Sequence, residues 1–147
     1  MGGRRSRPRR SVLKAGVDYE RSIVREAWES GLLAVRAAGS GSGTSAYPKP
    51  DIIIFGPDGV VDVVQVKTTR RTHLRLTPEA WRNEVLAAER LRDLGFKARV
   101  WLAIKIIRPG GSEEARIRVD GHEDGVLIVD LGPNGIGFKW VEERENK

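Results

Sequence analysis

The stretch that decides the fold is Pro50–Lys67, PDIIIFGPDGVVDVVQVK. Two short runs rich in Ile and Val flank Gly56–Gly59, GPDG, whose residue types favour a tight turn. The pattern predicts a β-hairpin, with one strand over Asp51–Phe55 and a second strand over Val60–Lys67.

Polar side chains lie near the open end of this hairpin. Because strand side chains alternate between the two faces of a sheet, Val63, Gln65 and Lys67 share one side of the second strand. Asp51 opens the first strand, so a carboxylate, an amide and an amine are expected close together. Taken alone, these residues fit solvated strand ends better than a functional site, and the rest of the chain has to decide between the two interpretations.

The remaining elements follow from periodicity and from helix and turn signals. Helices are predicted over Val17–Leu32 and from Thr77-Pro78-Glu79 to near Gly95, and strands over Leu32–Ala37, Phe96–Ile107, Ala115–Val119, Gly125–Leu131 and Ile136–Val141. Residues 39–49 are expected to form a flexible loop, and residues 68–73 a polar link. This order predicts an α/β domain with a mixed central β-sheet flanked by helices.

The predicted domain organisation is simple. Residues 1–15 are expected to be a disordered basic arm, and residues 16–147 one domain. Within that domain we expect a core over 16–108 and a small C-terminal β extension over 109–147.

Composition narrows the class of protein. The chain has 147 residues, of which 39% are hydrophobic and 31% charged, as expected for a globular domain that can bury a core. It has no cysteine, which excludes disulfides, thiolate metal sites and cysteine nucleophiles. No apolar run approaches the roughly 20 residues that span a bilayer. We therefore expect a cytoplasmic protein without a membrane partner.

The charge is more informative than the size. The formal net charge is +6, and arginines crowd the first ten residues. Basic chains commonly bind polyanions, above all nucleic acids. A solubility bias or a loose tail would explain the same charge, so charge alone identifies no activity.

Glu20 is unusual within the first predicted helix. The apolar face of this helix is predicted from Val17, Val24, Ala27, Trp28 and Gly31. At about 100° per residue Glu20 falls between Val24 and Ala27, near the middle of that face. A carboxylate there is costly to bury unless it is paired or has a function. The structural interpretations are a helix end at which Glu20 reaches water and a salt bridge to Arg21 or Arg36. The functional interpretation is a place in an active site.

These residues together resemble a known nuclease group. Pro50-Asp51, the hairpin and Gln65-Val66-Lys67 are similar to the core of the PD-(D/E)xK nucleases, and more closely the chain resembles the archaeal Holliday junction resolvases over residues 14–107. The similarity includes Tyr19-Glu20-Arg21, Ala34-Val35-Arg36, Val66-Lys67-Thr68, Thr72-His73-Leu74 and Trp101–Lys105. It implies a restriction-endonuclease-like fold and a homodimer that uses Mg²⁺, with Mn²⁺ as a substitute, to nick branched DNA at four-way junctions.

The resemblance also assigns roles to residues. It places Glu20, Asp51, Gln65 and Lys67 at catalytic positions, and Glu20, Asp51, Gln65 and the Val66 carbonyl around the metal. The expected DNA-binding residues are Arg21, Arg36, Ser40, Ser42, Arg70, Arg71 and His73.

Gln65 departs from the family pattern, which usually has Glu there. A Gln carbonyl oxygen can still ligate Mg²⁺, because hard cations accept neutral oxygen donors. The site nevertheless loses one negative charge, so its metal affinity is expected to fall. The alternatives are a paralogue that binds junctions or other DNA with weak or no cleavage, and a restriction- or repair-type nuclease that acts on duplex DNA.

Overall fold

A computed structural model of the chain describes residues 8–37, 47–122 and 124–142. Within these residues the elements are α1 Pro8–Glu29, β1 Leu33–Arg36, β2 Ile52–Phe55, β3 Val60–Thr69, β4 His73–Leu76, α2 Arg82–Asp93, β5 Lys97–Arg108, β6 Gly111–Arg118, β7 Gly125–Gly132 and β8 Gly135–Glu142. Residues 1–7 of the predicted arm and residues 39–46 of the predicted loop lie outside the described residues.

The strands form two sheets. The larger has the order β1-β2-β3-β5-β6 and is mixed, since β3 and β5 run parallel and the other neighbours are antiparallel. The smaller has the order β4-β7-β8 and is antiparallel. The α/β fold class with a mixed central sheet is thus confirmed.

The two helices cover opposite faces of the larger sheet. Tyr19 and Ile23 of α1 pack with Val64 and Val66 of β3 in one core cluster. Trp81 and Ala88, from the turn before α2 and from α2 itself, pack with Val63 in the other cluster. Alternate residues of β3 therefore face different helices, as its sequence pattern predicts.

The hairpin has the predicted turn. Asp58 and Gly59 both have positive φ values, 62° and 71°. Gly59 adopts this left-handed region without a steric penalty, and Asp is among the residues that tolerate it. The Gly56 amide donates to the Val60 carbonyl at 2.8 Å and closes the turn.

The predicted start and buried face of α1 are wrong. Residues 8–15, predicted to belong to the disordered arm, are helical from Pro8 onward, because proline is compatible with a first helical turn and Leu13-Lys14-Ala15 favour a helix. The buried face is formed by Tyr19, Ile23 and Ala27, whereas Trp28 is 55% exposed. Glu20 therefore lies at the flank of the buried face and not at its centre.

Other differences lie in the second half. β4 forms where the sequence predicts only a link ending at His73. Its partner residues on β7 lie more than 50 positions further along the chain, so local sequence does not reveal the pairing. Thr77 makes no side-chain capping bond, and a 3₁₀ turn over Pro78–Trp81 precedes α2. β6 begins at Gly111 rather than Ala115, since it pairs with β5 as far as the last residue of that strand, Arg108. Ile117 and Leu127 share a core cluster with Val100, so the C-terminal strands are part of the same folded unit.

No α-helix within 8–37, 47–122 and 124–142 is long and apolar enough to cross a membrane.

Candidate active site

The open end of the hairpin brings Asp51 against β3. Asp51 lies one residue before β2, and its Oδ2 accepts a hydrogen bond from the Val66 amide at 2.9 Å. This bond holds the carboxylate at the peptide between Gln65 and Val66, beside the position from which Lys67 projects. The structure thus brings together Asp51, Gln65, Val66 and Lys67, as the hairpin pattern predicts.

These side chains differ in exposure, which suits different roles. Asp51 and Gln65 are half-buried, and Lys67 is exposed. The Gln65 amide nitrogen donates to the Val66 carbonyl oxygen at 3.2 Å. The Gln65 carbonyl oxygen is therefore the atom of that side chain that could ligate a cation.

Glu20 reaches the neighbourhood of this site through Arg36. The Arg36 Nε donates to Glu20 Oε1 at 2.7 Å, and both side chains are about one-fifth exposed. The next residue, Ala37, donates its amide to the Asp51 carbonyl at 2.9 Å, which joins the end of β1 to the start of the hairpin. The salt bridge to Arg36 is thus the one observed, and a role for Glu20 in metal binding stays a prediction.

The predicted DNA-binding residues are spread over several elements. Arg70 and Arg71 follow β3, and the Arg71 amide donates to Thr69 Oγ1 at 3.0 Å. His73 opens β4 and pairs through Nδ1 with the Asp130 carboxylate of β7. Arg21 is exposed on α1, and Ser40 and Ser42 lie outside the described residues.

Asp62 faces away from the site, as predicted. Its carboxylate accepts two hydrogen bonds from the Arg99 guanidinium, at 2.6 and 2.9 Å, and one from Trp101 Nε1 at 2.9 Å. It cannot supply the charge that is missing at Gln65, because its oxygens are held on the opposite face of β3.

Sequence reasoning missed Glu84, the most deeply buried acid near the site. Glu84 lies in the first turn of α2 and is 1% exposed. Its Oε2 accepts a hydrogen bond from the Asp51 amide at 3.3 Å, and its Oε1 is buried without a hydrogen-bond partner. Burial, and after it the charge of Asp51, raises the pKa of Glu84 to about 7.

A sequence signal for Glu84 exists. It lies three residues after Trp81 and four before Ala88, on the apolar stripe that these two residues define. An acid inside such a stripe is a candidate for a buried carboxylate; at Glu84 the structure bears this out, whereas Glu20 lies at the flank of its helix's buried face.

The donor set fits a divalent cation of the Mg²⁺ type. Carboxylate, amide carbonyl and backbone carbonyl oxygens are the ligands that hard cations prefer. Among the described residues, no three His, Cys, Asp or Glu side chains are grouped so as to hold a metal ion. The acids that meet at this site are Asp51 and Glu84, and the buried Oε1 of Glu84 lacks the partner that such an atom normally has.

Comparisons with known proteins agree with the geometry. A family model described as archaeal Holliday junction resolvase (Hjc) matches residues 11–138. A protein of Archaeoglobus fulgidus named crossover junction endodeoxyribonuclease Hjc is 32% identical over 93 residues, which cover 63% of this chain and 62% of that protein. A solved structure of Archaeoglobus fulgidus Hjc, described as a Holliday junction resolvase from an archaeal hyperthermophile, matches with a TM-score of 0.53 and 25% identity. That match covers 86% of this chain and 85% of the solved chain.

Proposed function

Because the chain belongs to the archaeal Holliday junction resolvase family, we propose that it is a metal-dependent endonuclease that hydrolyses phosphodiesters in four-way DNA junctions. The observation that carries the proposal is the Asp51 carboxylate, held at 2.9 Å by the Val66 amide next to Gln65 and Lys67. The relatives named above, a crossover junction endodeoxyribonuclease and a Holliday junction resolvase, support the choice of substrate.

The mechanism assigns a task to each residue. Asp51, the Gln65 carbonyl oxygen and the Val66 carbonyl oxygen would hold Mg²⁺, or Mn²⁺ in its place, with Glu20 acting directly or through water. The chemistry that such a cation supplies when bound is polarisation of the scissile phosphate and a lower pKa of a bound water. Lys67 orients the attacking water and stabilises the negative charge that develops on the phosphate.

The DNA contacts are part of the proposal. Basic and hydroxyl side chains would contact phosphates and fix the position of the junction without reading its sequence. The residues proposed for this role are Arg21, Arg36, Ser40, Ser42, Arg70, Arg71 and His73. The basic composition and the absence of cysteine support action on DNA in the cytoplasm.

We further propose a homodimer, because a four-way junction offers two symmetric positions for cleavage. Leu33 and Val35 on the edge strand β1 are 45% and 54% exposed, and Phe55, the β2 partner of Leu33, is 37% exposed. An exposed apolar patch of this kind is typical of a protein interface. Light scattering on the purified full chain measures the oligomeric state directly.

The cleavage test compares a synthetic four-way junction with a linear duplex of the same sequence, in Mg²⁺ and in Mn²⁺. The full chain should cut the junction and leave the duplex largely intact, and Asp51→Asn and Lys67→Ala should each abolish cutting. Asp62→Asn is the matched control, because this carboxylate lies on the opposite face of the same strand pair and should leave cleavage in place.

The other outcomes identify the alternatives. Junction binding without cutting would indicate a binding paralogue, and equal cutting of duplex and junction would indicate a restriction- or repair-type nuclease. Gln65→Glu should increase cutting at low Mg²⁺ if the amide merely weakens the cation site. Cutting that survives both Asp51→Asn and Lys67→Ala would exclude the proposed active site.

A further inference from the structure

The strand side of the proposed centre has one negative charge. Asp51 is the carboxylate, and Gln65 contributes only a neutral amide. The Glu20 carboxylate is 2.7 Å from the Arg36 guanidinium, so its charge is already balanced. Affinity for a divalent cation depends on the number of charged ligands, and this set is short of a carboxylate.

Glu84 supplies a carboxylate from the helix side of the centre, opposite the strands. It reaches the centre from α2, a segment more than 30 residues from Asp51, and its Oε2 lies 3.3 Å from the Asp51 amide nitrogen. Its Oε1 is buried and has no hydrogen-bond partner among the described residues. Glu84 is also only 1% exposed, so bulk water does not reach its carboxylate.

This arrangement is costly for a fold without a cation. A buried carboxylate oxygen that makes no hydrogen bond loses its hydration without compensation. Asp51 adds like-charge repulsion to this cost of burial. A divalent cation close to Asp51 would balance both carboxylates and give Glu84 Oε1 a ligand.

We propose that Glu84 is the second carboxylate ligand of the divalent cation, in place of the carboxylate that Gln65 lacks. The charge that the family carries on β3 is thus carried here on α2, and the cation is held between the hairpin and the helix. The catalytic use of this cation rests on the function proposed above, whereas the binding of the cation can be measured without it.

The test measures Mn²⁺ binding to the full chain by calorimetry and electron paramagnetic resonance, at pH 8 and without DNA. Glu84→Gln keeps the shape and the oxygen that accepts from the Asp51 amide, and removes only the charge. It should weaken Mn²⁺ binding by at least about tenfold, because the affinity for a hard cation depends on the number of charged ligands. Glu89→Gln, an exposed position on the same helix, should bind within about twofold of wild type.

The charge-only substitution separates ligation from positioning. If Glu84 only oriented Asp51 through its hydrogen bond, Glu84→Gln would leave the Mn²⁺ affinity unchanged, because the Gln oxygen can still accept from the Asp51 amide. The double variant Gln65→Glu/Glu84→Gln returns a carboxylate to the strand and should regain most of the lost affinity. Wild-type affinity in Glu84→Gln, or failure of the rescue, would overturn the proposal.

A measurement on the unmodified chain keeps the test independent of variant folding. The ¹³C carboxyl signal of Glu84 should move on titration with Mg²⁺, and a signal that stays in place at saturating Mg²⁺ would overturn the proposal.

Junction cleavage by a chain whose Glu84→Gln variant binds Mn²⁺ normally would also overturn the proposal, but would leave the nuclease function intact. Binding of Mn²⁺ through Glu84 without cleavage of any DNA would support the site and exclude the proposed activity.

Discussion

Replacing Glu84 by Gln should make the metal-free protein more stable at alkaline pH. The substitution keeps the volume of the side chain and an oxygen that can accept from the Asp51 amide, and it removes the charge. Glu84 is 1% exposed and faces the charge of Asp51, so its carboxylate is expensive to ionise in the fold. The variant should not pay this cost at any pH.

The size of the effect follows from the pKa of Glu84, which burial raises from 4.5 to about 7. Between these values the native protein retains a proton that the unfolded chain has released, so the free energy of unfolding falls as pH rises. At about 1.4 kcal/mol per pH unit, the wild type should lose about 3 kcal/mol from this group by pH 8. The stability that the wild type loses in this way is fully present below about pH 4.5, where Glu84 is protonated in both the folded and the unfolded state.

The assay is urea unfolding followed by tryptophan fluorescence at pH 5 and pH 8, with a chelator present. The difference in unfolding free energy between Glu84→Gln and wild type should grow by about 2–3 kcal/mol between the two pH values, because a small part of the loss has already occurred at pH 5, and Glu89→Gln should follow the wild type. If wild type and Glu84→Gln lost stability in parallel, the assigned cost of the Glu84 charge would be refuted. Adding Mn²⁺ at pH 8 should then stabilise the wild type more than the variant, because only the wild type offers both carboxylates.

Two further predictions concern the rest of the fold. Trp81 is 1% exposed and packs edge-to-face against Trp140, with the ring centroids 5.9 Å apart. Trp81→Ala should therefore lower the free energy of unfolding in urea by about 3–5 kcal/mol. Phe138→Ala, at a side chain that is 51% exposed, is the control and should change it by less than about 1 kcal/mol. Asp130→Asn removes the exposed partner of His73 and should change stability by at most about 1 kcal/mol in the same assay. A larger loss would mean that this pair is shielded from water.

The central hairpin was predictable because its signals are local. The alternation of residues along Val60–Lys67 places Gln65 and Lys67 on one face, and the Gly56–Gly59 turn fixes the pairing with β2. The fold class and the family, both inferred from these residues, are confirmed. The roles of the individual site residues stay predictions.

β4 and the start of α1 escaped prediction for different reasons. β4 has only four residues, so its own sequence shows little strand character. It is stabilised by its pairing with β7, which lies far along the chain. α1 extends into a basic segment whose composition suggests disorder but whose residues also favour a helix. For β4 the distant strand partner decides the structure, and for α1 the helix propensity of the residues outweighs their basic composition.

By itself, the sequence determines the local geometry of the site. Asp51, Gln65 and Lys67 meet because strand alternation and a tight turn act over a few residues. Only the tertiary structure decides that Glu84 faces Asp51 and that Glu20 pairs with Arg36. Helical periodicity shows that a side chain is turned inward, but its partner depends on how distant elements pack, and that packing determines where the second carboxylate of this site lies.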